Sequence, residues 1–205
     1  MKIFKSLLFG GLILFFMVST AGMPLFGQQP SEEEQKMMEK WKAYATPGEN
    51  HKYLEYFSGK WEAVTKSWMK PGTEPIINKN DVKSKMILGG RYLKSSYKGT
   101  MMGMPFEGIG ITGYDNFKKK FISIFMDNTG TGIYEYSGTL DQTGKIRTET
   151  GVWDDIGTGG KSRVKMVTKI IDGNTYSFEM FMLNEGPQGD EFKSMEMICK
   201  RKQEK

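Results

Sequence analysis

The sequence lacks most of the residues on which metal and redox chemistry depend. Its 205 residues contain one cysteine, Cys199, and one histidine, His51. A single cysteine excludes an internal disulfide, and these two residues cannot supply the four ligands of a typical structural zinc site. We therefore predict no metal site and no cofactor. We interpret Cys199 as a small buried apolar residue and His51 as a packing or hydrogen-bonding residue.

The chain also lacks a strong excess of either charge. It carries 29 basic and 24 acidic residues, which give a formal net charge of +5. Apart from a basic C-terminal tail, the two signs are interleaved, which is typical of a solvated surface and not of a nucleic-acid-binding one. We therefore expect no nucleic-acid partner.

Long hydrophobic runs are confined to the N-terminus. Lys2 and Lys5 precede an apolar stretch over residues 7–18, and small residues follow at 19–22. This arrangement predicts a signal peptide over residues 1–27, cleaved near 21/22 or 27/28, and export to the periplasm or the exterior. A retained anchor is the alternative, but the run is shorter than the roughly 20 residues of a spanning helix, so we expect no membrane span after cleavage.

Residues 28–48 are predicted to form a linker and one amphipathic helix. Ser31 and Glu34 match a capping box, which predicts a helix from there to about Ala45. Its apolar residues recur every three or four positions and share one face: Met37, Met38, Trp41, Tyr44 and Ala45. We expect this face to lie on an apolar surface of the protein.

Residues 49–201 are predicted to form a β-barrel, followed by a tail over 202–205. Ten strands are predicted near 60–69, 82–88, 91–98, 106–114, 120–127, 131–139, 145–153, 162–171, 174–184 and 191–201. Turns rich in Gly, Asp and Asn lie at 115–116, 141–144, 157–160, 172–174 and 186–189, and longer loops are predicted at 71–80 and 99–105. Such short connections make neighbouring strands antiparallel. The pattern predicts an all-β, up-and-down barrel of about 8–10 strands, because closure removes exposed edges.

Alternation along the strands predicts which side chains share a face. In the ninth strand Tyr176, Phe178 and Met180 fall on one side, and Met195 and Met197 align in the tenth. The fifth strand is apolar on both faces, so part of the outer surface must be covered. The predicted helix is the obvious cover.

Two glycine-rich segments imitate nucleotide-binding motifs. Residues 108–113 match G-x-G-x-x-G, and residues 157–162 resemble the end of a phosphate-binding loop. Both motifs require a helix directly after the glycines, whereas each segment here lies between predicted strands. We interpret 108–113 as a strand that bends sharply or lets another group approach its backbone, and 157–162 as a hairpin.

A short motif indicates how the barrel begins. Gly59 and Trp61 open the first predicted strand, after a short helical turn over residues 51–57. This arrangement resembles the entry motif of lipocalins and their calycin relatives, in which a basic residue from a late strand stacks over the tryptophan. Arg201 or Arg163 could take that place. The resemblance implies a structural cation–π contact worth about 1 kcal/mol, and it carries no information on function.

Further motifs resemble, in order along the chain, a bacterial family of unknown function whose members carry export signals. They lie at 51–61, 88–93, 106–108, 113–116 and 126–127, and the resemblance covers roughly 50–201. The resemblance implies a calycin-like (lipocalin-like) barrel. It implies no particular reaction, because none is assigned to the family. A haem role like that of the nitrobindins would need a histidine on a late strand. This sequence has none there, so we expect no haem bound through histidine.

A barrel of this size is wide enough to enclose one small ligand. We therefore predict an exported, non-enzymatic protein that binds a small, largely apolar molecule. The candidate ligand-binding residues comprise a soft rim, apolar walls and polar groups that orient one end of the ligand: Arg91, Tyr97, Met101, Met104, Glu107, Phe125, Asp127, Tyr176 and Met180. The same alternation also allows a barrel filled with side chains.

Two other functions remain open from the sequence. One is an envelope protein-interaction module that binds a protein partner through the outer barrel face and the N-terminal helix. The other is an enzyme that uses one buried carboxylate, Glu107 or Asp127. A contiguous exposed apolar patch would favour the module, and a continuous internal void would favour the ligand-binding protein. A carboxylate with a strongly raised pKa inside a cavity would favour the enzyme.

Overall fold

The computed structural model describes residues 30–183 and 189–203 of the chain. The predicted signal peptide and most of the predicted turn at 186–189 lie outside the described residues. Neither helix in the described part is long and apolar enough to cross a membrane.

The described chain forms two helices followed by ten antiparallel strands. They are α1 (Glu32–Ala45), α2 (Glu49–Glu55), β1 (Gly59–Ser67), β2 (Ile76–Ile87), β3 (Tyr92–Met101), β4 (Met104–Asp115), β5 (Lys120–Asp127), β6 (Tyr134–Leu140), β7 (Ile146–Asp155), β8 (Gly160–Ile170), β9 (Thr175–Leu183) and β10 (Phe192–Arg201). Each strand pairs with its neighbours in the chain, and β1 also pairs with β10, with Trp61 opposite Arg201. The sheet is a closed up-and-down barrel, which confirms the predicted fold class.

Aspartate side chains hold several of the predicted turns. The Oδ1 of Asp115 accepts hydrogen bonds from the backbone N–H groups of Lys118 at 2.9 Å and Phe117 at 2.8 Å. The Lys118 bond is the main reason that the pKa of the Asp115 carboxyl is lowered. Asp141 and Asp155 bond the backbone of their own turns in the same way. These short, capped turns keep successive strands adjacent in the sheet.

Half of the predicted loop at 71–80 and most of the predicted loop at 99–105 are strand. β2 begins at Ile76, because its first residues pair with the end of β1. β3 and β4 meet in a two-residue turn at Met102 and Gly103, whose φ angles of 52° and 79° are typical of a type I′ hairpin. The loop prediction is therefore wrong over 76–80 and over most of 99–105, whereas 71–75 is a loop as predicted. Strand pairing outweighs the local turn preferences of their Asn and Gly residues.

α1 begins at the predicted capping box but does not pack on the barrel. The Ser31 hydroxyl accepts from the Glu34 backbone N–H at 3.3 Å, and the Glu34 carboxylate accepts from the Ser31 backbone N–H at 2.8 Å. No residue of α1 is buried. Its four large apolar side chains are 48–64% exposed: Met37, Met38, Trp41 and Tyr44. The expectation that this face lies on an apolar surface is therefore wrong within the described part of the protein.

Within the described part of the protein, α1 is hydrogen-bonded to the barrel at its C-terminal end. Asn116, in the turn after β4, donates from Nδ2 to the carbonyl of Thr46 at 2.8 Å. Arg91, in the turn after β2, donates to the carbonyl of Ala45 at 2.7 Å. The helix is held at one end, and its apolar face does not cover the outer side of β5.

α2 closes one end of the barrel. Its Tyr53 and Leu54 are buried, as is Phe57 directly after the helix, and they belong to one core cluster with Trp61 and Phe121. Leu54, Trp61 and Phe121 have no exposed surface. This end of the barrel, called the plug below, is therefore solid.

Trp61 lies at the base of the barrel and is covered by an arginine. Of the two arginines that the sequence left open, Arg201 lies over the ring, with its Cζ 4.0 Å from the centroid. Arg201 also donates to the carbonyls of Ser58 at 2.7 Å and Tyr56 at 2.8 Å. A Cβ at Gly59, where φ is 120°, would lie only 2.8 Å from the Arg201 Nη1. The last strand is thus tied to the segment that joins α2 to β1.

His51 is buried at the edge of the plug. Its Nδ1 accepts a hydrogen bond from the Gly48 backbone N–H at 3.0 Å, and its ring meets Tyr114 edge-on, with the centroids 5.9 Å apart. Burial lowers the pKa of His51 below its ordinary value of 6.5. The folded protein therefore holds this ring neutral at pH values where the unfolded chain begins to protonate it.

We expect His51 to destabilise the fold in mild acid. Below about pH 6.5 the unfolded chain binds a proton that the folded state resists, so the free energy of unfolding falls as the pH drops. Urea unfolding should therefore show a lower midpoint at about pH 5.5 than at about pH 7.5. Because His51 is the only histidine, the His51→Gln variant should lose most of this difference. If the variant shows the same difference in urea midpoint between the two pH values, other titrating groups cause the pH dependence.

Candidate ligand-binding cavity

A cavity of about 350 Å³ lies inside the barrel. It extends from Phe57 beside the plug to Ser67, Thr100 and Asp127 near the opposite ends of the strands. The cavity is partly open to solvent, and the exposed Thr100 is among its lining residues at this end, which is called the open end below. Its volume lies in the range of small-molecule sites.

Small residues on the inner face leave this space. Ser95, Ser123 and Thr168 are buried and line the cavity, and Gly110 lies in its wall. Strand alternation places them on the same face as the large aromatic side chains. Leucine or phenylalanine at these positions would fill the interior, as in a close-packed core.

A buried ion pair belongs to the cavity wall. The Arg147 Nε lies 3.0 Å from the Glu149 Oε2, and the two side chains are 10% and 2% exposed. The residues are two apart in β7, so both point inward. Ser123 donates to the Glu149 Oε1 at 2.7 Å, and its Oγ lies 2.9 Å from the Thr112 Oγ1. Since a hydroxyl has one hydrogen, Thr112 must be the donor to Ser123. Both oxygens of Glu149 are therefore engaged.

The guanidinium of Arg147 lies against the aromatic rings of the plug. Its Cζ is 5.5–6.0 Å from the ring centroids of Phe121, Tyr53 and Phe57, a range that allows cation–π attraction. Its Nη1 is buried and donates no hydrogen bond to any described residue, and its contact with Glu149 through Nε does not have hydrogen-bond geometry. A buried cation in the wall thus has N–H groups that the described part of the protein does not use.

The tyrosines of the wall are uncharged hydrogen-bond donors. Burial raises the pKa of Tyr97 to about 12, and it also raises the pKa values of Tyr136 and Tyr176. The Trp153 indole N–H donates to the Tyr136 hydroxyl at 2.9 Å, which leaves the Tyr136 hydrogen available for another acceptor. These hydroxyls therefore remain protonated at neutral pH.

Six of the nine predicted ligand-binding residues line the cavity: Tyr97, Met101, Phe125, Asp127, Tyr176 and Met180. They come from β3, β5 and β9. The rings of Tyr97 and Phe125 meet edge to face, with centroids 5.6 Å apart. Asp127 lies at the open end, where its Oδ1 accepts from the Thr129 backbone N–H at 2.8 Å. Its carboxylate therefore holds the turn after β5.

The other three predicted residues lie outside the cavity wall. Glu107 is on the outer face of β4, where its side chain is 61% exposed and its Oε1 lies 2.9 Å from the Lys98 Nζ. Alternation explains this, because the preceding residue, Phe106, faces inward. Met104 opens β4 and is 61% exposed, since the tight hairpin replaces the predicted loop. Arg91 serves as the anchor of α1.

The family of the chain is shown by its sequence. A profile of the family described as "Protein of unknown function (DUF1579)" matches residues 46–201, which span α2 and every described strand. The chain belongs to this family. Its description assigns no activity, and no curated protein matches the chain at a significant level.

Solved structures resemble the barrel at low sequence identity. Rv2717c from M. tuberculosis aligns with a TM-score of 0.56 and 14% identity, over 77% of this chain and 100% of that one. A redesigned β-barrel aligns with a TM-score of 0.40 and 10% identity, over 74% of this chain and 96% of that one, a likeness too weak to support a conclusion. The first match shows a shared fold alone.

The ion pair was not predicted from the sequence. Alternation in β7 places Arg147, Glu149 and Trp153 on one face, and this signal was visible in the predicted strand at 145–153. It was not decisive, because alternation does not say which face is inward, and charged residues are rarely buried. Ser123, which donates to Glu149, and Thr112, which donates to Ser123, come from other strands, so only the folded barrel brings them together.

The glycines of the 108–113 segment let aromatic rings approach β4. A Cβ at Gly108 would lie 2.8 Å from the ring of Phe125, whereas a Cβ at Gly110 would lie 3.7 Å from Phe125 and Tyr97. This confirms the interpretation of the segment as a strand approached by another group. These glycines do not form a dinucleotide-binding loop, because β4 continues through them.

The 157–162 segment is the predicted hairpin. It joins β7 to β8, and the Asp155 Oδ1 accepts from the backbone N–H groups of Gly157 at 2.9 Å and Thr158 at 3.2 Å. A phosphate-binding loop needs such N–H groups free to meet its ligand. Here the chain's own carboxylate uses them.

Cys199 lies in the core beside the plug. It has no exposed surface, and burial raises the pKa of its thiol to about 12. The thiol therefore stays protonated, as expected for a buried structural residue. Among the described residues, no three His, Cys, Asp or Glu side chains come together in a way that could hold a metal ion.

Proposed function

We propose that this protein binds one small, largely apolar molecule inside its barrel. The observation that carries the proposal is the cavity of about 350 Å³ that begins at a solid plug and reaches solvent at the opposite end. An entrance at one end and a closed base at the other are the geometry of a ligand-binding barrel.

The composition of the wall supports this ligand class. About half of the lining residues are aromatic or methionine, including Phe125, Tyr134, Phe178, Met180 and Met197. Methionine side chains are flexible and polarizable, so they adapt to irregular apolar ligands. Few charged groups line the cavity, which disfavours a strongly polar solute. Together with the predicted leader, this favours an exported binding protein.

A cavity-filling variant tests the proposal. Gly110→Leu adds a side chain to the wall, and its Cβ meets its nearest neighbours at an ordinary 3.7 Å. Ser96→Leu adds the same side chain on the outer face of β3 and is the matched control. The probe is N-phenyl-1-naphthylamine, a neutral aromatic amine whose fluorescence rises in apolar surroundings.

We expect the probe to bind the unmodified protein and the control equally. Binding to Gly110→Leu should be at least about tenfold weaker, because the added side chain occupies the ligand's space. Circular dichroism checks that both variants fold. Equal fluorescence with all three proteins would place the probe on the outer surface, and no rise with any of them would count against a ligand cavity.

A second function is favoured by the exposed apolar face of α1. Four large side chains on a helix held only at its C-terminal end form a surface typical of a protein-interaction site: Met37, Met38, Trp41 and Tyr44. Affinity capture from envelope fractions of the host should then retain a protein on the unmodified chain and lose it on the Trp41→Asp variant. Equal retention would exclude this face as the binding surface.

A further inference from the structure

Beside the plug, the cavity wall contains the buried ion pair of Arg147 and Glu149. Thr112 donates to Ser123, Ser123 donates to Glu149, and the second oxygen of Glu149 faces Arg147. The Arg147 side chain is nine-tenths buried, and its Nη1 and Nε donate no hydrogen bond to any described residue. The Nη1 and Nε atoms have almost no accessible surface, but Arg147 lines the cavity and its side chain is 10% exposed. Because a buried charged donor gains from an added acceptor, we expect the part of the guanidinium that the cavity reaches to favour an acceptor on a bound molecule.

The charges around the cavity argue that this acceptor is neutral. Arg147 and Glu149 cancel, and the one other charged residue among the described lining residues is Asp127 at the open end. A ligand carboxylate at Arg147 would bring a second anion beside Glu149 in a poorly solvated interior, where like charges repel strongly. A carbonyl oxygen accepts a hydrogen bond from the guanidinium without adding charge.

We propose that the cavity binds a neutral apolar molecule that carries a carbonyl oxygen, and that this oxygen accepts a hydrogen bond from the guanidinium of Arg147. This inference rests on the proposed function, and it adds the chemical class of the ligand and its orientation. The carbonyl end enters first and lies beside the plug. The apolar remainder contacts the aromatic and methionine side chains between Arg147 and the open end.

Three naphthalenes of matched shape test the ligand class. They are 2-acetylnaphthalene, which carries the carbonyl, 2-ethylnaphthalene, which lacks it, and 2-naphthoate, which carries a carboxylate instead. Equilibrium dialysis measures the affinity of each. Hydrogen bonds to charged groups are strong enough to predict that the unmodified protein binds the ketone at least about tenfold more tightly than the hydrocarbon. We expect the naphthoate to bind more weakly than the ketone.

The role of Arg147 is tested by removing both charges of the pair. Arg147→Met alone leaves Glu149 buried and unpaired, so the double variant R147M/E149M is used, with Arg163→Met on the exposed side of β8 as control. The preference for the ketone over the hydrocarbon should disappear in the double variant and persist in the control. The infrared stretch of a carbon-13-labelled acetyl group should also lie at lower frequency in the unmodified protein than in the double variant.

The outcomes separate this inference from the proposed function. If none of the three compounds binds, the ligand cavity itself is contradicted. If all bind with similar affinity, or if the double variant keeps the ketone preference, the cavity stands and the role of Arg147 is overturned. If the naphthoate binds most tightly, the site is an anion site and the neutral class is wrong.

Discussion

The Arg147→Met variant is expected to unfold with a free energy about 3–5 kcal/mol lower than that of the unmodified protein. Arg147 and Glu149 lie 3.0 Å apart with side chains 10% and 2% exposed. Methionine is unbranched and apolar but shorter than arginine, so the variant leaves the Glu149 carboxylate with Ser123 as its remaining partner among the described residues. Urea unfolding followed by circular dichroism measures the loss.

Two further variants decide whether this loss comes from the pair. Arg163→Met removes an exposed arginine from the neighbouring strand and should change the free energy of unfolding by at most about 0.5 kcal/mol. The double variant R147M/E149M should recover most of the loss, because apolar residues then replace both charges. If Arg147→Met is as stable as Arg163→Met, the ion pair of Arg147 and Glu149 does not contribute to stability.

The Trp61→Ala variant is expected to lower the free energy of unfolding by about 3–5 kcal/mol. The Trp61 ring has no exposed surface, and its centroid lies 4.8 Å from that of Tyr176. The indole N–H donates to the Phe57 carbonyl at 2.9 Å, and Arg201 covers the ring. Alanine removes these contacts and leaves a void next to the plug. Urea unfolding is again the measurement.

Trp41→Ala is the matched control for this variant. Trp41 is 64% exposed on α1, so its removal should cost at most about 0.5 kcal/mol. Trp61→Phe should fall between the two, since a ring remains below Arg201 but the hydrogen bond to the Phe57 carbonyl is lost. If Trp61→Ala and Trp41→Ala lower the free energy of unfolding by similar amounts, the conclusion that the plug stabilises the barrel is contradicted.

The strands and their order could be predicted from the sequence because their signals are local. Alternation with a period of two, ended by Gly, Asp and Asn, marks each strand, and turns such as that at Asp115 are held by side chains within the turn itself. The same alternation placed Tyr176, Phe178 and Met180 on one face, and all three line the cavity.

The position of α1 and the ion pair of Arg147 and Glu149 in the cavity wall could not be predicted from such local signals. The capping box predicts where α1 begins, but an apolar stripe does not say what it contacts, and Trp41 is exposed. Glu149 is stabilised by Ser123 from β5 and by Arg147 in its own strand. Nothing local to β7 identifies the partner on β5. The prediction that Glu107 lines the cavity is wrong for a related reason, because alternation does not show which face of a strand points inward.

The pairing of β1 with β10 has a practical consequence for handling the molecule. An even number of strands returns the chain to the side on which it started, so the segment before Gly59 and the segment after Arg201 both leave beside the plug. An affinity tag, a fused fluorophore or a sensor surface joined through either segment is therefore attached on the side away from the entrance. Immobilised protein should keep the route for incoming molecules unobstructed.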